Sequence, residues 1–126
     1  MSIYKKSVVI LLTSLLLLAC SNSFPQLPYN HFVAHLLQQL DDHATERQIC
    51  SEELAQIAIN SLVTNFPNNS VAILNRRYLA TATASQRLNY LLINLIEVRD
   101  TRNPLWFSNL ELERLVVRNT IAYYHS

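Results

Sequence analysis

The chain has 126 residues, a formal net charge of +1 and no glycine. That length accommodates a single domain, and an apolar content of 50% favours a packed core over a disordered chain. Phosphate-binding loops, dinucleotide-binding turns and the nucleophile elbow of hydrolases need glycine where the backbone turns sharply or approaches a ligand. The absence of glycine therefore excludes these three kinds of site.

The charged residues are unevenly distributed along the chain. Both lysines, Lys5 and Lys6, lie near the N-terminus, and from residue 20 onward eight arginines accompany nine acidic residues. A nearly neutral domain is unlike a general nucleic-acid binder, whose basic surface neutralises phosphates. The absence of lysine after Lys6 also excludes Schiff-base chemistry.

The N-terminal segment has the layout of a secretory leader. Lys5 and Lys6 form a positive region, and residues 8–19 form an apolar stretch that only Thr13 and Ser14 interrupt. This stretch is shorter than the roughly 20 residues that a membrane-spanning helix needs. We therefore expect residues 1–19 to be a signal peptide that is removed.

The end of this leader, Leu17-Leu18-Ala19-Cys20, resembles the lipobox of bacterial lipoprotein precursors. Its usual form is leucine, a small residue, alanine or glycine, and cysteine, and Leu18 departs from that form. The resemblance implies that Cys20 carries diacylglycerol and an amide-linked chain such as palmitate, and becomes the mature N-terminus. Several acyl chains, at about 0.8 kcal/mol per buried methylene, anchor a protein stably. No aspartate follows the cysteine directly, which in this family implies the periplasmic face of the outer membrane.

The lipid assignment affects the second cysteine and the segment that follows the first. If Cys20 carries lipid, Cys50 has no intramolecular partner. Cys50 is then a small residue that is buried or begins a helix, or it forms a disulfide with another chain in the oxidising periplasm. Residues 20–28 contain Pro25 and Pro28 and no periodic pattern, which predicts a lipidated, flexible tether. Residues 29–126 are expected to form one helical domain.

Apolar residues recur at intervals of three and four in this domain, which predicts helices. A first helix is expected over about residues 30–44 and a second, capped by Ser51, over about residues 52–65 and ending before Pro67. Glu52 and Glu53 would lie in the first turn of the second helix, where the helix dipole favours acids. The apolar stripes of these two helices are Val33, Leu36, Leu37 and Leu40 in the first, and Leu54, Ile57, Ala58 and Ser61 in the second.

Three further helices are expected after a turn at residues 66–69. The third covers about residues 71–80, and the fourth and fifth begin at capping boxes headed by Thr83 and Ser108. Phe107 and Leu112 are placed to form a hydrophobic staple at the start of the fifth helix. The apolar stripes are Val71, Leu74 and Tyr78 in the third helix, and Leu88, Leu91, Leu92, Leu95 and Ile96 in the fourth. The sequence thus predicts an all-α bundle of four or five short helices.

No group of residues has the spacing of a catalytic or metal site. His31 and His35 are four residues apart and Asp42 returns to the same side, but all three lie opposite the apolar stripe of the first helix. A solvent-exposed surface explains them better than a metal site. No serine has the sequence context of a catalytic nucleophile. We therefore expect neither an enzyme nor a cofactor.

Two helices carry more apolar surface than one buried face requires, and in a small bundle only one of them can be central. Either a neighbouring helix covers the other, or an apolar groove remains that receives a partner's amphipathic helix. Four aromatic residues near the C-terminus either line such a groove or close the end of the core. The candidate partner-binding residues are Ile59, Val63, Phe66, Tyr90, Ile93, Trp106, Phe107, Tyr123 and Tyr124.

In size, anchor and helix content the chain is similar to the helical pilotins of bacterial secretion systems. Those lipoproteins hold a segment of a secretin subunit in an apolar groove while their lipid carries the pair to the outer membrane. The similarity implies a binding or assembly factor whose partner is a secretin or another envelope complex. A self-associating structural or regulatory lipoprotein is the first alternative, and a small periplasmic hydrolase is the second.

Overall fold

A computed structural model describes residues 29–102 and 105–125, and all regular secondary structure in these ranges is helical. The prediction of a small all-α bundle is therefore confirmed. The leader, Cys20 and the tether lie outside the described residues, and the expectations about them stay predictions. The elements are α1 (His31–Arg47), α2 (Ser51–Asn65), α3 (Pro67–Leu74), a 3₁₀ turn (Arg77–Leu79), α4 (Ala84–Arg102), α5 (Asn109–Glu113), a π-helical turn (Arg114–Arg118) and α6 (Asn119–His125).

Helix α1 begins close to the predicted residue and extends past the predicted end. The side chain of Asn30 accepts hydrogen bonds from the backbone N–H groups of Phe32 (3.0 Å) and Val33 (3.1 Å), which a helix start leaves without internal partners. Gln48 ends the helix in the left-handed conformation, with φ 58°. The whole predicted stripe of this helix is buried: Val33, Leu36, Leu37 and Leu40.

Helix α2 is the central helix, since it packs against α1, α3, α4, α6 and the π-helical turn. Its N-cap is Cys50 and not Ser51, because the backbone is extended at Cys50 and already helical at Ser51, whose hydroxyl donates to Asp41 Oδ1 at 2.7 Å. Because neighbours cover α2 on several sides, its buried face also differs from the predicted stripe, and Ile57 and Ser61 are only half-buried. The buried residues are Leu54, Ala55, Ala58, Ile59 and Leu62.

The turn predicted at residues 66–69 is the beginning of α3. Pro67 lies in the first turn of this helix, where its missing N–H costs nothing and its fixed φ suits the helix. The earlier start changes which residues face the core. Ser70 and Ile73 are buried, whereas Val71 and Tyr78 of the predicted stripe are exposed.

Helix α4 begins at the predicted capping box. The Thr83 N–H donates to Gln86 Oε1 at 3.0 Å, and the Gln86 N–H donates to Thr83 Oγ1 at 3.2 Å. Helices α1, α2 and α3 pack against α4. Its predicted stripe is buried in full: Leu88, Leu91, Leu92, Leu95 and Ile96.

The last helical segment also begins as predicted but continues differently. Ser108 Oγ accepts from the Glu111 N–H at 3.1 Å, and Phe107 and Leu112 both belong to the buried core. After Glu113 the helix widens into a π-helical turn before it continues as α6. One predicted helix is therefore three successive elements.

The contacts at the helix ends define the relative directions of α1, α2 and α4. Residues 48–50 reverse the chain, so α1 and α2 run antiparallel, whereas Glu52 at the start of α2 contacts the N-terminus of α4, so these two run parallel. At the other end of α2, the Phe66 ring lies 5.1 Å from the Phe107 ring, and the Arg99 guanidinium lies 5.0 Å from the Phe107 ring. The start of α1, the end of α2 and the end of α4 therefore share one end of the bundle, which we call the entry end.

Candidate functional site

A pocket of about 290 Å³ lies between α2 and α6 and is partly open to solvent. On α2 its lining residues follow the spacing of a single helix face, and on α6 they lie within one turn. The volume is close to the lower limit of ordinary ligand sites, roughly 300 Å³. The lining residues are Ile57, Asn60, Ser61, Thr64, Asn119, Thr120 and Tyr123.

The π-helical turn Arg114–Arg118 leads directly into the α6 side of this pocket. Wide turns of this kind are rare and are frequent at functional sites. The turn is held against the core by three consecutive buried residues: Leu115, Val116 and Val117. The Ser61 hydroxyl donates to the Leu115 carbonyl at 3.0 Å and ties the turn to α2.

The most unusual polar group in the pocket is the hydroxyl of Thr120. Its side chain is fully buried (0% exposed), and Oγ1 has no hydrogen-bond partner among the described residues. Buried polar groups in folded proteins are nearly always paired, so an unpaired one calls for a specific explanation. Because no part of Thr120 is exposed, an external group cannot reach this hydroxyl while α6 keeps its position.

The pocket is electrically neutral, since none of its lining side chains is charged. Its hydroxyls and amides are only partly used within the chain. Asn60 Oδ1 accepts from Gln56 Nε2 at 3.0 Å, and Thr64 Oγ1 donates to the Asn60 carbonyl at 2.9 Å. Such a lining suits an uncharged group that combines apolar and hydrogen-bonding surface, because a charged group would be desolvated without a counter-charge.

Two tyrosines of α6 lie beside the pocket. Tyr123 lines it and is 68% exposed, and the neighbouring Tyr124 is also exposed. The Tyr124 hydroxyl donates to Glu53 Oε2 at 3.1 Å. That hydrogen bond, followed by desolvation and the charge of Glu53, raises the pKa of Tyr124 above its ordinary value.

The structure does not bring the nine sequence-predicted partner residues together in one groove. Ile59 (1% exposed) and Phe107 (2% exposed) are core residues, and neither side chain is accessible to a partner. Four others are half-buried and pack against the core: Val63, Phe66, Tyr90 and Ile93. Trp106, Tyr123 and Tyr124 are exposed, and of all nine residues only Tyr123 lines the pocket.

The sequence pattern does not identify most of the pocket, because the pocket residues are polar whereas the predicted groove is apolar. Asn60 and Thr64 lie one turn apart on α2, and both are exposed. The polar residues Arg118, Asn119 and Thr120 separate the apolar run of residues 115–117 from Ile121. A polar interruption of an apolar helical run was the available signal.

Cys50 combines features of both alternatives that the sequence left open. It is the N-cap of α2, as the expectation of a helix-start residue allows, and it is disulfide-bonded. The only other cysteine in the sequence is Cys20, which lies outside the described residues. A sulfur atom in a disulfide cannot also carry a thioether-linked lipid. The chemical state of Cys20 therefore decides between a disulfide and a lipid anchor at that residue.

The other sequence features occupy ordinary surface positions. His31, His35 and Asp42 are exposed on α1, opposite its buried stripe, as the helix pattern predicted. Within residues 29–102 and 105–125, no three His, Cys, Asp or Glu side chains are placed to hold a metal ion together. The helices in these ranges also include none that is both apolar enough and long enough to cross a membrane.

Comparisons with protein-family models, with curated proteins and with solved structures found no match to this chain.

Proposed function

We propose that this chain is a lipid-anchored binding or assembly factor at the periplasmic face of the bacterial outer membrane. The positively charged leader followed by Leu17-Leu18-Ala19-Cys20 supports the anchor. The pocket between α2 and α6 is its partner site. A secretin subunit is the favoured partner, on the similarity in size, anchor and helix content to helical pilotins.

The observation that carries the binding role is the neutral, partly open pocket between α2 and α6. Four of its lining residues are exposed and offer amide and hydroxyl groups to a partner: Asn60, Thr64, Asn119 and Tyr123. Tyrosine is also a residue type enriched at binding hot spots.

The composition of the pocket also defines the kind of segment that it holds. Its neutral lining favours a partner segment that inserts one uncharged side chain with a hydrogen-bonding end. This differs from the wide apolar groove expected from the sequence. The pocket contains no histidine, cysteine or acid among its lining residues, which supports binding over hydrolysis.

A pull-down from detergent-solubilised envelopes tests the partner site. The natural protein is expected to recover a secretin subunit, and Asn119→Arg is expected to abolish this recovery by placing a long charged side chain at the pocket. Thr45→Arg on α1 is the matched control, because Thr45 is also exposed and α1 contributes no residue to the pocket. Recovery of no protein but the bait, or equal recovery by both variants, would contradict the proposal.

Mass spectrometry of the protein from its natural membrane tests the anchor separately. The expected product begins at Cys20 and carries a thioether-linked diacylglycerol and an amide-linked acyl chain. A retained leader, or a mass lower by two hydrogens that reduction restores, would show that Cys20 is not lipidated on sulfur. In that case the anchor fails, while the pull-down still reports on the pocket.

A further inference from the structure

Two large apolar side chains at the entry end are almost fully exposed. Trp106, the only tryptophan in the chain, is 78% exposed, and Leu110 in the first turn of α5 is 66% exposed. Single exposed apolar residues are common and need no explanation. Trp106 and Leu110 differ because they lie at the end where the chain enters the domain, and because Arg99 holds the backbone between them.

Arg99 holds the backbone between these two residues in place. Its Nη1 donates to the Phe107 carbonyl at 3.2 Å and to Asn109 Oδ1 at 2.9 Å, and its guanidinium lies 5.0 Å from the Phe107 ring. Phe107 is buried in the core beside Phe66. Trp106 and Leu110, on either side of this fixed segment, are therefore exposed on backbone that the core holds in place.

The same end of the bundle is where the chain enters the domain. Helix α1 begins there, and Tyr29, which precedes its N-cap, is 73% exposed. Residues 21–28 separate Tyr29 from Cys20, and a chain of that length extends at most roughly 30 Å. A lipid at Cys20 therefore keeps the entry end within that distance of the bilayer.

We propose that the entry end rests on the membrane, with Trp106 and Leu110 inserted into the lipid headgroup region. Tryptophan suits this region because its ring is apolar and its N–H is polar. Leucine adds apolar area that is otherwise exposed to water. The inference rests on the proposed anchor and deepens it by giving the domain an orientation. It also assigns Trp106 to lipid, where the sequence had suggested a protein partner.

This orientation places the C-terminal helix on the side of the domain away from the membrane contact. The π-helical turn contacts α2 through Ser61 and Leu115, and Tyr124 contacts Glu53 in the first turn of α2. The C-terminal helix therefore runs away from the entry end. Tyr123 and Tyr124, near the end of α6, consequently lie towards the periplasm while Trp106 faces lipid.

The single tryptophan allows a direct test on the lipidated protein reconstituted into phosphatidylethanolamine and phosphatidylglycerol vesicles. We expect a blue-shifted Trp106 emission, loss of intensity when the vesicles contain brominated phospholipid, and little quenching by iodide from solution. Leu110→Ser is expected to reduce both the shift and the loss. Trp106→Phe combined with Tyr124→Trp moves the reporter to the opposite end of α2, where we expect quenching by iodide and not by brominated lipid.

Each alternative result overturns a defined part of the inference. An iodide-quenched Trp106 on a protein whose Cys20 is acylated would overturn the orientation and leave the anchor intact. Equal lipid quenching at both reporter positions would overturn the orientation as well. A blue shift that needs added secretin would assign Trp106 to the protein partner. An unmodified Cys20 would remove the anchor on which the inference rests.

Discussion

Glu52 and Ser85 are 33 residues apart in sequence, and their side chains join the N-termini of two helices. The Glu52 carboxylate accepts hydrogen bonds from the Ser85 hydroxyl at 2.7 Å, the Ser85 N–H at 3.1 Å and the Ala84 N–H at 2.7 Å. One carboxylate therefore lies at the positive ends of both α2 and α4. This contact brings the two N-termini together and helps to set the parallel arrangement of these helices.

Replacing Glu52 is therefore expected to destabilise the bundle. Glu52→Ala leaves two backbone donors at the start of α4 without their partners, and the free energy of unfolding should fall by about 1–2 kcal/mol. Urea unfolding followed by circular dichroism measures the change. Glu46→Ala is the control, since Glu46 is exposed near the end of α1. Equal losses for both variants would contradict the capping role of Glu52.

Removing the Thr120 hydroxyl is expected to stabilise the bundle. Thr120→Val replaces an unpaired buried hydroxyl with a methyl group of similar size, so the free energy of unfolding should rise by about 1 kcal/mol. Urea unfolding followed by circular dichroism measures the change.

A second buried hydroxyl provides the control for this change. Ser70 is buried and donates to the Leu62 carbonyl at 3.3 Å. Ser70→Ala should therefore lower the free energy of unfolding by about 1 kcal/mol. A loss of stability in Thr120→Val would indicate that its hydroxyl is already paired in the free protein.

The contact between Tyr124 and Glu53 predicts a change in alkaline solution. The Tyr124 pKa is raised by its hydrogen bond to the Glu53 carboxylate, because deprotonation would place a phenolate beside that carboxylate. The neutral tyrosine is favoured in the folded state, so the stabilisation is present below the ordinary tyrosine pKa of about 10 and is lost as the pH rises through the folded pKa. Carbon-13 NMR of the tyrosine ring resonances should detect Tyr124 as a late-titrating residue.

The Glu53→Gln variant separates this cause from others. Without the carboxylate, the Tyr124 pKa should return towards its ordinary value. A late titration that persists in Glu53→Gln would assign the shift to burial alone.

Replacing Arg99 is expected to reduce the rigidity of the segment around Trp106. Arg99→Lys keeps the positive charge but loses the planar group that donates to the Phe107 carbonyl and the Asn109 side chain. The fluorescence anisotropy of Trp106 in detergent should fall, and the free energy of unfolding should decrease by about 1 kcal/mol. Arg118→Lys, at an exposed position on the π-helical turn, should change neither quantity.

Helices whose start and buried face both lie in local sequence were predictable. The capping box of Thr83 and Gln86 defined the start of α4, and its leucine stripe identified the buried face. At α3 the local signals conflicted, since Pro67 ends one helix and begins the next. The central position of α2 was open on the sequence alone, because the burial of Ile59 depends on which neighbours cover that side.

The amino-acid sequence by itself determined the helical class of the domain, its neutrality and the exclusion of glycine-dependent sites, because these follow from composition and from the 3.6-residue period of a helix. Only the tertiary structure decided the pocket, the role of Glu52 and the position of Trp106 at the entry end. Each of these depends on side chains that are far apart in sequence and meet across helices. Helix period fixes which residues share a face, but it does not determine which faces meet.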